Sequence, residues 1–375
     1  MAVDLEDYRL IYVGPRNHVT AIGDYTEDLV AAYRSHFGDV AEVRVSGPGD
    51  ETWADVRRVR KQVRDLVASW PAGKVLVHSE IGCGMLSPFW SIAGLKGIPV
   101  TLTVHDPPQA LWFTARTRFV ASHKLLMHGF HYPLRPFSRW LEGRINGRRD
   151  IFALSKTGQA SIDRVYPYTR THYVPYRVAE KPTVKPAEDR PKAIGFFGLV
   201  YRGKGFDQIA HIRKELPDDI LIRVAGRGTE ALPPMDGVEL VGGVDGEAED
   251  AFFESVRAIV IPYGKRHFYA DTFPASSVAA HALAYRTPIV CTGYGSLAEF
   301  DAETGAVVLP MGAGDPNALP PGFTDAITSF VNDDGRVTQL GKNADRAREE
   351  RSTTRTAEAF VHAWSAILGR QHESV

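Results

Sequence analysis

Ala193-Ile-Gly-Phe-Phe-Gly-Leu-Val-Tyr-Arg-Gly-Lys-Gly-Phe206 is an apolar run that breaks into a basic, glycine-rich loop. Its first five residues, Ala193–Phe197, predict a buried strand, and the pattern from Phe206 predicts a helix. Strand, tight loop and helix make the repeating unit of a parallel α/β sheet. Gly198, Gly203 and Gly205 would let the backbone approach a ligand closely, and Arg202 and Lys204 supply positive charge. A helix start adds unpaired N–H groups and a positive dipole end, so the whole segment suits a diphosphate. The Gly-x4-Gly-Lys-Ser/Thr spacing of a nucleoside-triphosphate loop is absent. Taken alone, the loop also reads as a solvated basic turn.

The same scheme extends in both directions. Strands are predicted upstream at Leu10–Val13, Glu42–Val45, Val75–His78, Val100–Val104, Ile151–Leu154 and His172–Val174. Downstream they are predicted at Leu221–Ala225, Glu239–Val241, Ile259–Ile261, Ile289–Thr292 and Val307–Leu309. Helical patterns at Tyr25–His36, Trp53–Ser69, Val278–Tyr285 and Thr353–Leu368 lie between and after them. The stretch Glu180–Pro191, with Pro182, Pro186 and Pro191 among charged residues, reads as a linker. The expected fold is therefore α/β, with two Rossmann-like domains and an interdomain cleft. The domains would be residues 1–179 and 192–350, with 180–191 between them. A C-terminal helix in 351–375 would pack back toward the first domain.

Composition bounds the function. Of 375 residues, 44% are hydrophobic and 24% charged, ordinary values for a soluble globular chain. The net charge of −1 divides into +5 over residues 1–180 (23 basic, 18 acidic) and −6 over the remainder (21 basic, 27 acidic). That split suggests two units with different surfaces and argues against nucleic acid as a partner. Cys83 and Cys291 imply no disulfide framework. The acidic start, Met1-Ala-Val-Asp-Leu-Glu-Asp7, lacks the apolar stretch of a secretory signal, so a cytoplasmic protein is expected. No run approaches the roughly 18 apolar residues that a membrane-spanning helix needs.

Ligands of open parallel sheets bind outside the carboxyl ends of the strands. That rule selects the candidate residues. His105 and Asp106 follow the strand ending at Val104, and Glu80 follows the one read as ending at His78. Gly226 follows the strand ending at Ala225. Phe273-Pro-Ala-Ser-Ser277 opens the helix at Val278, where Ser276 and Ser277 can cap it or hold an anion. Asp271 could accept bonds from ligand hydroxyls. Gly23-Asp-Tyr-Thr26 opens the first helix after a loop containing Gly14. His105 could donate to a developing charge, or be a structural histidine paired with Asp106. Asn332-Asp-Asp-Gly335 reads as a turn, so no metal site is expected.

Taken in order, these segments resemble the retaining, nucleotide-sugar-dependent glycosyltransferases of family four, which have the GT-B two-domain fold. Ala21-Ile-Gly-Asp-Tyr-Thr-Glu-Asp-Leu29 is similar to the family's first loop and helix, and Val104-His-Asp-Pro107 to its active-site histidine segment. Phe197-Gly198 with Lys204-Gly-Phe-Asp207 resembles its donor-phosphate segment. Ala282-Leu-Ala-Tyr-Arg-Thr-Pro-Ile-Val290 and Gly295-Ser-Leu-Ala-Glu299 resemble its late block. The resemblance implies that Lys204 binds the donor diphosphate, that Gly23 approaches the same phosphates, and that His105 lies by the transferred sugar. There are departures. The family's arginine after the first loop glycine is Leu199 here, and the second of its two spaced glutamates falls at His281. Asp271-Thr-Phe-Pro274 resembles the start of that glutamate block, but lies ten positions before His281 where the family has eight.

The implied activity is transfer of a sugar from a nucleoside diphosphate sugar to a hydroxyl acceptor, with retention and without a metal or other cofactor. His105, Arg202 and Lys204 would be catalytic, the two basic groups offsetting charge on the leaving diphosphate. Gly23, Gly198, Gly226, Asp271, Ser276 and Ser277 would complete the donor site, and Glu80 and Asp106 would face the acceptor. Two other readings stand beside it: a non-catalytic nucleotide-sugar binding protein, and a nucleotide-sugar epimerase of the same architecture. The stretch Trp112–Arg149 mixes aromatic residues with Arg116, Arg118, Lys124, Arg135, Arg144, Arg148 and Arg149. The helix at Trp53–Ser69 adds Arg57, Arg58, Arg60, Lys61 and Arg64. These read as a solvated basic surface, or as a peripheral contact with an anionic membrane carrying a lipid-linked acceptor.

Overall fold

A computed structural model of the chain describes residues 3–267 and 270–372, with only the backbone described at Lys124, Gln371 and His372. The chain divides into two compact units, one running to Pro175 and resuming at Thr353, the other spanning Tyr176–Ser352.

Unit 1 is built on six strands in the order β2-β1-β3-β4-β5-β6, all parallel. They are β1 (Arg9–Pro15), β2 (Asp39–Val45), β3 (Val75–Ile81), β4 (Val100–Val104), β5 (Asp150–Ala153) and β6 (Arg170–Tyr173). The central strands β3, β4 and β5 are buried along their whole length, as sheets covered on both faces require. The covering helices are α1 (Ala21–Tyr33), α2 (Trp53–Ala68), α3 (Leu86–Ile92), α4 (Arg118–Ser122), α5 (Lys124–Asn146) and α6 (Lys156–Val165). Local chemistry sets their starts. Thr20 caps α1 by accepting from Gly23 N, and Thr52 with Asp55 forms a reciprocal capping box on α2. Val56, Val59 and Val63 form the buried stripe of α2, which leaves Arg57, Arg58, Lys61 and Arg64 outward.

Unit 2 repeats the architecture with the order β12-β11-β10-β7-β8-β9, again parallel throughout. Its strands are β7 (Ala193–Phe197), β8 (Leu221–Ala225), β9 (Val238–Gly242), β10 (Ala258–Ile261), β11 (Ile289–Thr292) and β12 (Ala306–Leu309). Its helices are α7 (Ile209–Glu215), α8 (Gly246–Glu254), α9 (Ser277–Ala284), α10 (Phe323–Val331) and α11 (Asp334–Glu350). The helix expected from Phe206 begins as a 3-10 turn over Phe206–Gln208 and continues as the short α7. Asn332-Asp333-Asp334 is a helix start and not a free turn: Asp333 caps α11 by accepting from Arg336 N.

The segment 180–191 is not a free linker. Arg190 is buried, and its guanidinium donates to the carbonyls of Phe253, Val256 and Tyr285 and to Thr287 Oγ1. Arg257 donates in turn to the carbonyls of Arg190 and Glu188. Two buried guanidinium groups therefore strap the proline-rich stretch onto unit 2. Composition cannot reveal this, because the acceptors are backbone carbonyls distant in sequence.

The last helix, α12 (Thr353–His372), belongs to unit 1. Phe360, Trp364, Ile367 and Leu368 recur at helical spacing and are buried. The Trp364 ring lies 4.9 Å from Tyr33, 5.1 Å from His78 and 5.3 Å from Phe360, centroid to centroid. It is the largest fully buried side chain of the described residues. Trp364→Ala should lower the unfolding free energy by about 3–5 kcal/mol. A urea titration reads this as an earlier midpoint at unchanged slope, and a midpoint within error of the parent would refute the packing role.

Candidate functional site

In unit 1 the site grows from strand register. Tyr12 on β1 pairs with His78 on β3, and His78 pairs with Thr101 on β4, so the three side chains share one face of the sheet. Two residues further along, Glu80 pairs with Thr103 on that same face. His105, the first residue beyond β4, binds Ile81 O through its backbone N–H and continues the alternation. The result is a polar ladder inside an apolar layer. Glu80 has no exposed surface. Its Oε1 accepts from the Tyr12 hydroxyl, from His78 Nε2 at 3.0 Å and from Thr103 Oγ1 at 3.3 Å. Its Oε2 accepts from His105 Nε2 at 2.6 Å. Burial alone would raise the Glu80 carboxyl, but the hydrogen bonds it accepts from His105 and His78 hold it well below the ordinary range.

This corrects the reading of Glu80 as an acceptor-side residue. The sequence pattern ended β3 at His78, whereas the strand runs to Ile81 and carries Glu80 into the core. It also corrects the pairing of His105 with Asp106. Asp106 Oδ2 accepts from Cys83 N at 2.9 Å and so ties the loop after β3, while His105 turns to Glu80. The His105 side chain keeps 8% of its surface exposed and meets the edge of Tyr25 at 5.6 Å.

Gly23 sits in the first turn of α1, buried, with its N–H taken by Thr20 Oγ1. A Cβ there would stand 2.0 Å from the Arg16 carbonyl oxygen. The glycine thus admits the backbone of the loop before α1, and its N–H is not open to a phosphate.

In unit 2 the site gathers on Tyr263, two residues beyond β10. Lys204 Nζ donates to the Tyr263 hydroxyl and lies 3.9 Å from the ring centroid. Ser276 Oγ donates to the same hydroxyl at 3.3 Å, while accepting from Ala279 N as the cap of α9. The Tyr263 carbonyl accepts from Thr292 Oγ1 at 2.7 Å. One tyrosine therefore joins the loops after β7 and β10 and the end of β11 to the N-terminus of α9. Burial and the neighbouring Arg266 push Lys204 down to about 7. Ser277 is the first residue of α9, half-buried beside the cap.

The glycines of this edge are packing devices. Gly226, at φ 129°, lies against Gly198, and a Cβ on it would stand 2.1 Å from the Gly198 carbonyl oxygen. The loop after β7 can come this close to the end of β8 only because position 226 lacks a side chain, while Gly198, at φ 116°, faces Val278 of α9.

Two expected members make no hydrogen bond or ion pair with this group. Arg202 is exposed and lines a groove of about 620 Å3 with Val200, Tyr201, Leu232, Met235 and Asn317. Lys204 is not among the groove's lining residues. Asp271 is exposed and paired with Lys265 at 3.0 Å. Lys204 and Ser276 are thus brought together, and Arg202 and Asp271 are not. Tyr263 and His78 were not singled out from sequence. For His78 a signal was present, the His-x-Glu alternation at a strand's end, whereas a tyrosine just past an apolar strand is too ordinary to mark Tyr263.

His281, where the resemblance places a glutamate, is half-exposed on α9. Its Nδ1 lies 2.8 Å from Glu249 Oε1 on α8, and Lys181 holds the other oxygen at 3.1 Å. Burial would raise Glu249, but His281 and Lys181 hold it low. Among the described residues there is no cluster of three metal-ligating side chains, and no helix is long and apolar enough to cross a membrane.

No protein-family model matches the chain, and no curated protein matches it in sequence. Solved structures do match in fold. A glycosyltransferase from Rickettsia africae superimposes with TM-score 0.65 at 11% identity, over 96% of this chain and 98% of that one. Anabaena Alr3699/HepE, solved in complex with UDP-glucose, gives 0.64 at 10% identity, over 96% and 99%. TarM of S. aureus gives 0.56 at 12% identity, covering 84% of this chain, which spans only 58% of TarM. With two parallel six-stranded sheets in the same arrangement of strands and helices, the chain has the GT-B fold, the two-domain α/β architecture of glycosyltransferases.

Proposed function

We propose that the chain is a glycosyltransferase that moves a sugar from a nucleoside diphosphate sugar to a hydroxyl acceptor. The observation that carries the reading is the Lys204–Tyr263–Ser276 group at the carboxyl ends of the unit 2 strands, next to the start of α9. A cation beside a helix N-terminus is what a departing diphosphate needs as negative charge grows on it. In this reading Lys204 supplies that charge without a metal, and His105 hydrogen-bonds the sugar or the acceptor. Retention of the anomeric configuration rests on the family resemblance, and a cytoplasmic location on the character of the sequence.

One charge-assisted hydrogen bond contributes about 1.5–3 kcal/mol, so Lys204→Ala should weaken UDP binding roughly tenfold to a hundredfold. Calorimetry showing equal affinity would refute the assignment. The depressed Lys204 adds a pH signature. A lysine with its midpoint at about 7 is cationic below that pH and neutral above it. UDP affinity should therefore fall above pH 7, by up to about tenfold per pH unit. Lys204→Ala should remove that slope. An identical slope in the variant would assign the titration elsewhere.

For the acceptor, we propose a molecule presented at an anionic membrane surface. Helix α5 supports this by being amphipathic the wrong way round. Its fully buried side chains are polar (His131, Ser138, Glu142 and Asn146), and six of its large apolar residues, from Leu125 to Trp140, are exposed. Leu125 is 89% exposed, Trp140 61% and Phe137 52%, with Phe119 on α4 at 65%. Glu142 is satisfied inside by Ala110 N and Trp112 N, which keeps the polar stripe inward. Exposed Arg118, Arg139 and Arg144 flank the apolar face with the charge that anionic headgroups attract. The protein should co-sediment with phosphatidylserine-containing vesicles and not with phosphatidylcholine alone. Phe130→Ser, Phe137→Ser and Trp140→Ser combined should abolish this. Equal binding to both vesicles, or to neither, would remove the proposal.

A further inference from the structure

The ladder in unit 1 is longer than the contact between His105 and Glu80, and its hydrogen bonds have a direction. At one end stands Trp364 of α12, whose indole N–H can only donate; it binds Thr101 Oγ1 at 3.1 Å. At the other end stands Glu80, a carboxylate that can only accept. Between them His78 offers Nδ1 to Thr101 Oγ1 at 2.8 Å and Nε2 to Glu80 Oε1 at 3.0 Å. Because Glu80 accepts, His78 carries its proton on Nε2. The bare Nδ1 of a neutral ring must then accept from the Thr101 hydroxyl, whose oxygen takes the Trp364 N–H. His105 meets the same carboxylate from the opposite side, so it too carries a proton on Nε2. Its other nitrogen, Nδ1, makes no hydrogen bond among the described residues.

We propose that the buried chain Trp364–Thr101–His78–Glu80 fixes the tautomer of His105, so that Nδ1 is always the nitrogen presented to the ligand. Glu80 and His78 are positioning residues, and all proton exchange of His105 with a ligand passes through Nδ1. The neutral ring accepts there from a sugar or acceptor hydroxyl, and the protonated ring donates there. The proposal rests on the functional reading only in naming the ligand; the tautomer stands on the ladder alone.

Glu80→Gln makes a sharp test, because a carboxamide has one acceptor oxygen where the carboxylate has two. Three donors converge on Oε1, from Tyr12, His78 and Thr103, and one on Oε2. The carboxamide oxygen of the variant should stay with the three, which turns the NH2 toward His105 and forces the ring to bare Nε2 and protonate Nδ1. Two-bond proton–nitrogen spectra of the full-length labelled protein read this directly, with signals assigned by His78→Gln and His105→Gln. In the parent, His78 should be the Nε2–H tautomer and His105 should keep a proton on Nε2 across pH 6–8. In Glu80→Gln, His105 should switch to Nδ1–H. A bare Nε2 on His105 in the parent overturns the proposal without reference to any variant, as does an unchanged His105 pattern in a folded Glu80→Gln. If the parent turns over UDP-glucose, Glu80→Gln should lower kcat about tenfold or more with KM within about twofold, since a wrong tautomer leaves binding intact. A correct tautomer switch with no turnover of any donor would fail the glycosyltransferase reading and leave this one standing.

Discussion

Glu80 is a charge with no water around it, and much of unit 1 is arranged to tolerate it. A carboxylate removed from solvent costs several kcal/mol unless its lone pairs are satisfied by well-placed donors. Here the donors come from three strands and the residue beyond one of them: Tyr12 on β1, His78 on β3, Thr103 on β4 and His105 just past it. They meet only in one register of β1, β3 and β4, since a slip of one residue would turn each side chain to the opposite face. The buried charge therefore acts as a registry device as well as an anchor for His105.

Unit 2 solves a comparable problem with an aromatic hub. The loops after β7 and β10, the end of β11 and the start of α9 must hold fixed positions around a cation. Tyr263 holds Lys204 with its hydroxyl and ring, Ser276 with its hydroxyl and Thr292 with its carbonyl, and Gly226 lets the loops after β7 and β8 close on one another. Lys204 is consequently held in a partly desolvated place, which accounts for its depressed midpoint. A ligand bearing negative charge would relieve that desolvation penalty.

The fold was legible because central parallel strands must be apolar. The twelve strands of the described residues each overlap a short, mostly apolar run in the sequence, and Val100–Val104, Ala193–Phe197, Leu221–Ala225 and Ile289–Thr292 carry the same ends in the structure. Legibility failed where polar residues were buried. His78-Ser-Glu80 looked like the end of a strand, yet it is the strand's continuation, because its partners lie on β1 and β4 and in α12, far away in sequence. The segment 180–191 looked like a linker for the same reason. Lys204 and Ser276 could be named from loop position, but Tyr263, which joins them, could not, since a tyrosine after a strand is ordinary.

The place of α12 has a consequence for the order in which the protein can be made. Residues 353–372 complete the core of a unit whose other elements end at Pro175, so the whole of unit 2 is inserted within unit 1. As the chain leaves the ribosome, unit 2 can close on itself while the first sheet still lacks Phe360 and Trp364. Until those rings arrive, His78 and Thr101 face an unfilled apolar layer, and the ladder beneath His105 has no terminal donor. The first half of the chain to be synthesised is therefore the last to be finished. Its histidine site matures only when the final helix docks.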